Sequence, residues 1–374
     1  MKVAFAYDSA FPWFNGGIER RRYNIMREFV RTGYEVHCFT MYREGMPSSE
    51  FKRDGIQYHC CASALPESDM YVNGKRNIFW AMKYAISLPF KMFGYRFGMV
   101  DADAFPFLHL FPIYLYSKLT GARLLTTWHE VWSKEYWADY LGPVKGRIGY
   151  AIEGICARMP KAFIVNSQST KEELKRTFGI RKGVYVLPAA IDEQEIRKIQ
   201  RRAKKGRTDY FVTVGRLIPE KNIGFAIESM KNVDARLLVI GAGPEKKKLQ
   251  DKASESGAGD KIKFESGLPD AELFSKIYAS LGLILVSKRE GLSLISAEAI
   301  SLGVPVIISD QTMLPEEVRR FCISIKHGSF TEGLRKMAME AKQRRKEANR
   351  KSGAAIRLFS SKRAMPVYNK LLSG

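Results

Sequence analysis

The sequence predicts an α/β chain of two doubly wound domains with a cleft between them. Three observations carry that prediction. Short apolar runs alternate with stretches of helical period, which is the mark of repeated β–α–β units. At 374 residues the chain is too long for one core. Strand-to-helix turns in both halves combine glycine with charged residues, as anion-binding turns do.

Composition bounds the class. Apolar residues make up 45% and aromatics 12%, a globular balance. Cys38, Cys60, Cys61, Cys156 and Cys322 form no CxxC pair and read as buried thiols of a reducing compartment. None of the five histidines stands at zinc-ligand spacing with a cysteine, so no metal site is expected. The first strand begins at Lys2, leaving no signal peptide to read. The longest apolar stretches, 77–100 and 104–116, are short or broken by Lys83, Lys91 and Arg96, so a membrane span is not expected. A cytoplasmic protein, soluble or peripheral on the cytoplasmic membrane face, is the expectation.

Charge is the strongest compositional signal: 61 basic against 39 acidic residues, a net of +22. Such an excess attracts polyanions, whether nucleic acid, anionic lipid or phosphorylated substrate. It equally suits a general surface adaptation. Charge states what is attracted, not what is converted.

Residues 2–7 read as a buried strand, 8–17 as a loop ending in Asn15-Gly16-Gly17, 18–32 as an amphipathic helix stopped by Gly33, and 35–41 as a second strand. Paired glycines at this turn let backbone approach an anion at the helix N-terminus. The turn is neither a G-x-G-x-x-G fingerprint nor a P-loop. Residues 77–96 mix Phe79, Trp80, Ile86 and Phe90 with Lys83, Lys91 and Arg96, preceded by Lys75 and Arg76. Two readings stand: an interfacial membrane segment, or a helix packed on its own sheet with a lysine rim. Strand 123–127 leads into Trp128-His129-Glu130, placing His129 at a strand's carboxyl end, where doubly wound sheets put their chemistry. His109, in an apolar run, reads as a core residue. Residues 162–167 form another strand, 169–178 a helix and 184–187 a strand before Pro188-Ala189-Ala190-Ile191-Asp192; 197–207 is strongly basic.

The second half opens with strand 211–214 and then Gly215-Arg216-Leu217-Ile218-Pro219-Glu220-Lys221. Arg216 suits forked contacts to a diphosphate and Lys221 a point-charge contact. Strand 237–241 ends at Gly241-Ala242-Gly243. Residues 287–310, SKREGLSLISAEAISLGVPVIISD, follow a buried strand at 281–286. Glu290 and Gly291 make a turn, Ser293 caps a helix with Ser296 three residues on, and Gly303 and Pro305 close it before strand 306–308. Glu290 lies on the loop and Glu298 on the helix, where carboxylates suit sugar and ribose hydroxyls.

Three of these motifs, G-G-I-E-R at Gly16, G-R-x-x-x-x-K at Gly215 and E-G-x-x-x-x-x-A-E-A at Glu290 followed by G-x-P-V, resemble those of the retaining glycosyltransferases of family 4, which have the GT-B fold. The resemblance runs over nearly the whole chain. It implies two Rossmann-like domains, 1–188 on the acceptor side and 189–355 on the donor side, with a helix in 356–374 returning to the first. It implies transfer of a hexose from GDP-mannose or a UDP-sugar to a glycan or lipid-linked acceptor, with no cofactor and no essential metal. By resemblance His129 contacts the donor sugar, Glu290 holds it and Glu298 holds the ribose. Gly16 and Gly17 face the diphosphate, Arg216 and Lys221 bind it, and Gly241 and Gly243 border the base. Gly291, Leu292 and Ser293 complete the donor loop.

The chain also departs from that pattern. Ala190 replaces a glycine, Leu292-Ser293 stands where Phe-Gly is usual, and 311–314 replaces a glycine pair. The last two border the donor sugar, so the motifs leave the sugar open. Alternatives are a basic nucleic-acid-binding protein, disfavoured because the lysines are dispersed, and a phosphorylase or silent subunit of the same fold. An anionic membrane surface joins the nucleotide sugar and the acceptor among expected partners.

Overall fold

The computed structural model of the chain describes residues 1–63, 71–72, 75–202 and 209–373, with 71–72 and 75–76 described by backbone alone. The side chains of Lys75 and Arg76, and residues 203–207 of the basic stretch, therefore lie outside it. The chain divides into two compact units, Met1–Ala190 with Ser361–Gly374, and Ile191–Ser360.

The first unit is built on an eight-stranded sheet. Its strands are β1 (Lys2–Ala6), β2 (Glu35–Tyr42), β3 (Glu50–Arg53), β4 (Ile56–Ser63), β7 (Met99–Asp103), β8 (Arg123–Trp128), β9 (Ala162–Val165) and β10 (Val184–Val186); β5 (Tyr71–Val72) and β6 (Lys75–Arg76) form a separate ribbon. The order is β10-β9-β8-β7-β1-β2-β4-β3, parallel except for β3. The central strands are buried on both faces because helices cover both. On one side, Trp80, Tyr84 and Leu88 of the Ile78–Met92 helix join Leu110, Ile113 and Cys156 over Ala4, Ala6 and Val100. On the other, Ile25, Met26 and Phe29 of the Gly17–Arg31 helix pack with Tyr368 and Leu371 of the Ala364–Ser373 helix. That last helix thus belongs to the first unit.

Two features differ from simple amphipathic patterning. Arg21 and Arg22, which a helical wheel leaves to the solvent rim, are buried. Arg21 Nη2 donates to the Leu187 carbonyl at 2.8 Å, and Arg22 Nη1 to the Asp101 carbonyl at 2.9 Å. In addition, Ala189 and Ala190 both take positive φ, 49° and 127°. The glycine-type backbone is kept without the glycine, held by Asn24 Nδ2 donating to the Ala190 carbonyl at 2.8 Å. The five cysteines are unpaired; Cys38, Cys60 and Cys156 are buried, whereas Cys61 and Cys322 are only partly so, which corrects the expectation of five buried thiols.

The second unit carries a six-stranded parallel sheet of β11 (Tyr210–Val214), β12 (Arg236–Ile240), β13 (Ile262–Glu265), β14 (Leu283–Leu285), β15 (Val306–Ser309) and β16 (Ile323–Ile325), in the order β13-β12-β11-β14-β15-β16. Phe211, Leu237, Val239, Ile284 and Ile307 anchor its core against Ile227, Leu249 and Phe330. In both sheets the chain reverses beside its first strand, between β1 and β7 and between β11 and β14. In doubly wound sheets ligands bind at such switch points, outside the strands' carboxyl ends.

Candidate active site

At the first unit's switch point, three loops follow β1, β7 and β8. Gly16 is the N-cap of the Gly17–Arg31 helix, and Glu19 in its first turn accepts from Ser9 Oγ at 2.6 Å. The expected pair Gly16 and Gly17 therefore stands at a helix N-terminus, the helix end that favours an anion. His129 follows β8 directly. Its Nε2 bonds Asp103 Oδ1 at 2.8 Å, and its carbonyl accepts from Asn166 Nδ2 at 2.9 Å, so ring and backbone are both fixed. Asp103 ends the neighbouring strand β7 and is also paired with Arg22 Nε. Burial opposes its charge, but Arg22 and His129 outweigh burial and hold its carboxyl down at about 2. His109 lies in the core, with Nε2 on the Asp103 carbonyl at 2.8 Å, as its apolar surroundings suggested.

At the second unit's switch point the loops after β11 and β14 meet. Lys221 Nζ donates to Glu290 Oε1 at 2.6 Å, and Ser287 Oγ donates to the same oxygen at 2.6 Å. The loops are also stitched by the Lys288 N–H on the Glu220 carbonyl at 2.9 Å. A carboxylate offers about four acceptor positions, so two donors leave capacity for a sugar hydroxyl. Both side chains stay reachable, with 25% of Lys221 and 10% of Glu290 exposed. Arg216 lies at the mouth of the same loop, between Gly215 and Leu217.

Gly241 and Gly243 have a structural duty here. A Cβ on Gly241 would stand 1.9 Å from the Gly215 carbonyl oxygen, and one on Gly243 would stand 2.7 Å from the Leu217 backbone nitrogen. Only glycine admits this approach, through which the Leu217 N–H reaches the Ala242 carbonyl at 2.8 Å. The β12 turn thus braces the loop that carries Arg216 and Lys221.

The donor loop is irregular where its sequence is. Ser293 occupies the N-cap position of the Leu294–Ser301 helix, but its hydroxyl pairs with Ser296 Oγ at 2.7 Å and caps no N–H. Its φ of 67° is left-handed, so a serine holds a backbone that glycine would hold more easily. This corrects the capping expectation. Gly291 is half-buried, Leu292 is buried, and Glu298 is buried on the helix. The 311–314 stretch reaches the site through backbone: the Glu290 N–H donates to the Met313 carbonyl at 2.9 Å.

The predicted residues fall into two groups, one at each switch point: Gly16, Gly17 and His129 in the first unit, and Arg216, Lys221, Gly241, Gly243, Gly291, Leu292, Ser293, Glu290 and Glu298 in the second. Sequence reasoning missed Asp103, Arg22 and Ser287. The first two were detectable in principle, because alternate aspartates ending a buried strand, as in Val100-Asp101-Ala102-Asp103, need cationic partners. Among the described residues, no group of three or more His, Cys, Asp or Glu lies close enough to hold a metal ion.

Comparison with known proteins agrees with this architecture. Residues 15–195 match the sequence family described as Glycosyltransferase Family 4, and residues 192–351 match Glycosyl transferases group 1. The chain is 23% identical over 342 residues to an uncharacterized glycosyltransferase of Methanocaldococcus jannaschii, covering 85% of this chain and 83% of that protein. It is 25% identical over 173 residues to the GDP-mannose-dependent alpha-(1-6)-phosphatidylinositol monomannoside mannosyltransferase of Mycobacterium tuberculosis, covering 41% of this chain and 45% of the relative. In fold it is similar to sucrose-phosphate synthase of Thermosynechococcus elongatus, with a TM-score of 0.82 and 13% identity over 100% of this chain and 99% of that one.

Proposed function

The chain belongs to the glycosyltransferases, family 4 in its first half and group 1 in its second, and from that premise we propose that it moves a hexose from a nucleotide-diphosphate sugar with retention of configuration. The observation that carries this reading is the convergence of Lys221, Glu290 and Ser287 at the carboxyl ends of β11 and β14. Cation and carboxylate at one switch point suit a diphosphate and the sugar attached to it.

In this reading the acceptor hydroxyl attacks the sugar's anomeric carbon on the face the diphosphate leaves. The new C–O bond forms as the anomeric C–O bond to phosphate breaks, and the hydroxyl proton passes to a diphosphate oxygen. Arg216 and Lys221 stabilise the charge that develops on the leaving group, where preorganised donors act most strongly. Lys221 must then share or exchange its bond with Glu290 when the diphosphate arrives. Glu290 accepts from hydroxyls of the transferred sugar, Glu298 from the ribose, and His129, fixed by Asp103, orients the sugar. Gly16 and Gly17 present helix N–H groups to the diphosphate, and the 291–293 loop lines the sugar. With phosphate charge met by these groups, transfer undiminished in EDTA is expected.

The M. tuberculosis relative, GDP-mannose-dependent by name, favours GDP-mannose over a UDP-sugar. Its phosphatidylinositol-linked substrate, with the +22 charge, favours a membrane-linked glycan or glycolipid acceptor and a peripheral site of action on the cytoplasmic face. No helix of the described residues is long and apolar enough to cross a membrane.

Thermal melting against GDP, UDP, ADP, their sugar conjugates and a short RNA tests the reading, because a ligand of the folded state raises the melting temperature. A rise with one diphosphate and its sugar, lost in Lys221→Ala, is expected. A rise with RNA alone would point to the nucleic-acid alternative. Nucleotide binding with no transfer to any acceptor would point to a silent subunit.

A further inference from the structure

We propose that the first unit docks on an anionic lipid bilayer through the outer face of three helices, Ile78–Met92, Leu110–Thr120 and Pro143–Cys156. This deepens the membrane-linked acceptor reading by naming the surface, but it stands on the helices and not on the donor site.

All three helices lie in one layer. Trp80, Ile113 and Cys156 point inward to a single core cluster on the same side of the sheet. Each helix has a second apolar face that the sheet does not use. Phe79 is 69% exposed, Ile86 64% and Phe90 84%; Leu119 is 65% exposed on the next helix and Ile148 58% on the third. Most of the exposed large apolar side chains of the described chain sit on these helices. The Ile78–Met92 helix packs on the sheet by one face, as the second reading of its sequence had it, and leaves the other bare. Contiguous exposed apolar surface marks an interaction site.

Charge selects the occupant. The Ile78–Met92 and Leu110–Thr120 helices contain no Asp or Glu, and Glu153, the acid of the third, is buried. The cations Lys83, Lys118, Lys145 and Arg147 of the same helices are exposed. A face of aromatic and aliphatic side chains rimmed by lysine, on helices that expose no carboxylate of their own, is complementary to an anionic bilayer: the rings enter the acyl boundary and the ammonium groups meet the headgroups. At 15, 11 and 14 residues the helices are too short to span and suit an in-plane seat.

Flotation of the full-length chain with phosphatidylcholine vesicles, alone or mixed with phosphatidylglycerol, tests the proposal. Wild type should float with the mixed vesicles at low salt and far less with the neutral ones. Phe90→Glu with Leu119→Glu should lower binding by more than about tenfold, since two large apolar groups lose their burial. Lys83→Glu with Lys118→Glu should abolish the anionic preference. All four positions are exposed, so cooperative melting should persist, and the nucleotide-induced melting shift should be unchanged in both variants. Absence of wild-type binding to the mixed vesicles, or equal binding by the Phe90/Leu119 variant, overturns the proposal. So does a wild-type dimer that this variant converts to monomer without any vesicle binding, which would make the face an interface between copies. A lost nucleotide shift with vesicle binding intact would fault the donor site and leave the docking surface standing.

Discussion

The two switch points share a topology and treat charge in opposite ways. In the first unit Arg22, Asp101 and Asp103 are buried and bound to one another, with Tyr368 Oη on Asp101 and His129 on Asp103. In the second, Lys221 and Glu290 pair at a partly exposed edge, joined by Ser287. Charge in the first case holds the chain in place; in the second it stays within reach of a ligand. The same topology thus carries a buried ion network in one unit and a reachable ion pair in the other.

The largest effect that could break this comparison is on stability. Arg22→Met leaves two buried carboxylates short of their cation and should cost about 3–5 kcal/mol in urea unfolding. A loss below about 1 kcal/mol would mean that the first switch point is no more structural than the second. Next in size is the effect on chemistry. Glu290→Ala and Lys221→Ala should each lower transfer by roughly 10² or more while melting stays close to wild type. A pair of stable variants with near-normal rates would remove the second switch point from the chemistry.

A pH series sharpens the contrast further. Glu153 is buried, with the Trp132 N–H donating to Oε1 at 3.0 Å and the Trp137 indole donating to its other oxygen. Burial, which outweighs these two donors, pushes its carboxyl up to about 7. The folded state then holds this proton at a pH where the unfolded chain, at about 4.5, has released it. Its stabilising contribution is therefore full below about 4.5 and lost as pH rises through about 7, on the order of 3 kcal/mol. His59 and His109, both pushed down to about 4 by burial, work the other way: they lose stability as pH falls from the ordinary histidine range toward 4. Glu153→Gln isolates the carboxyl. Its stability relative to wild type should rise with pH across 4.5–7, from a baseline lowered by about 1 kcal/mol because an amide N–H now faces a donor. A flat difference would show that Glu153 is charged in the fold.

The smallest expected effect is a gain. Ala190→Gly should raise stability by about 1 kcal/mol, since the positive φ is strained for alanine. Ser293→Gly should act likewise on stability, and a change in transfer rate as well would tie the left-handed turn to the donor loop. No gain at Ala190 would mean that Asn24 and the surrounding core fully offset the strain.

The doubly wound architecture was legible because its strands are short, apolar and separated by helical periods. β1 and the Gly17–Arg31 helix fall within a residue of where the pattern puts them. The candidate residues of the second switch point were legible because they are local in sequence: Arg216 and Lys221 share one loop, and Glu290 and Glu298 one turn and helix. At the first, His129 and the Gly16-Gly17 turn were legible, but the buried ion network was not, because its partners are far apart in sequence. Arg22 meets Asp103, and Asp101 meets Tyr368, through the sheet order alone. Buried arginines defeat helical-wheel reasoning, which assigns every charge to solvent. Ala190 and Ser293 show a further limit, since both keep a backbone that their residue types disfavour. Composition at such positions does not predict conformation where the surrounding fold over-determines it.

The last helix has a consequence for how the protein is made. Tyr368 bonds Asp101 across 267 residues, and its ring packs edge-on against Phe29. The second unit ends at Ser360 and the first requires Ser361–Gly374. During synthesis the later unit therefore has all its parts while the earlier one still waits for a helix. Until that helix emerges, the Asp101 carboxylate and the Phe29 face lack their cover.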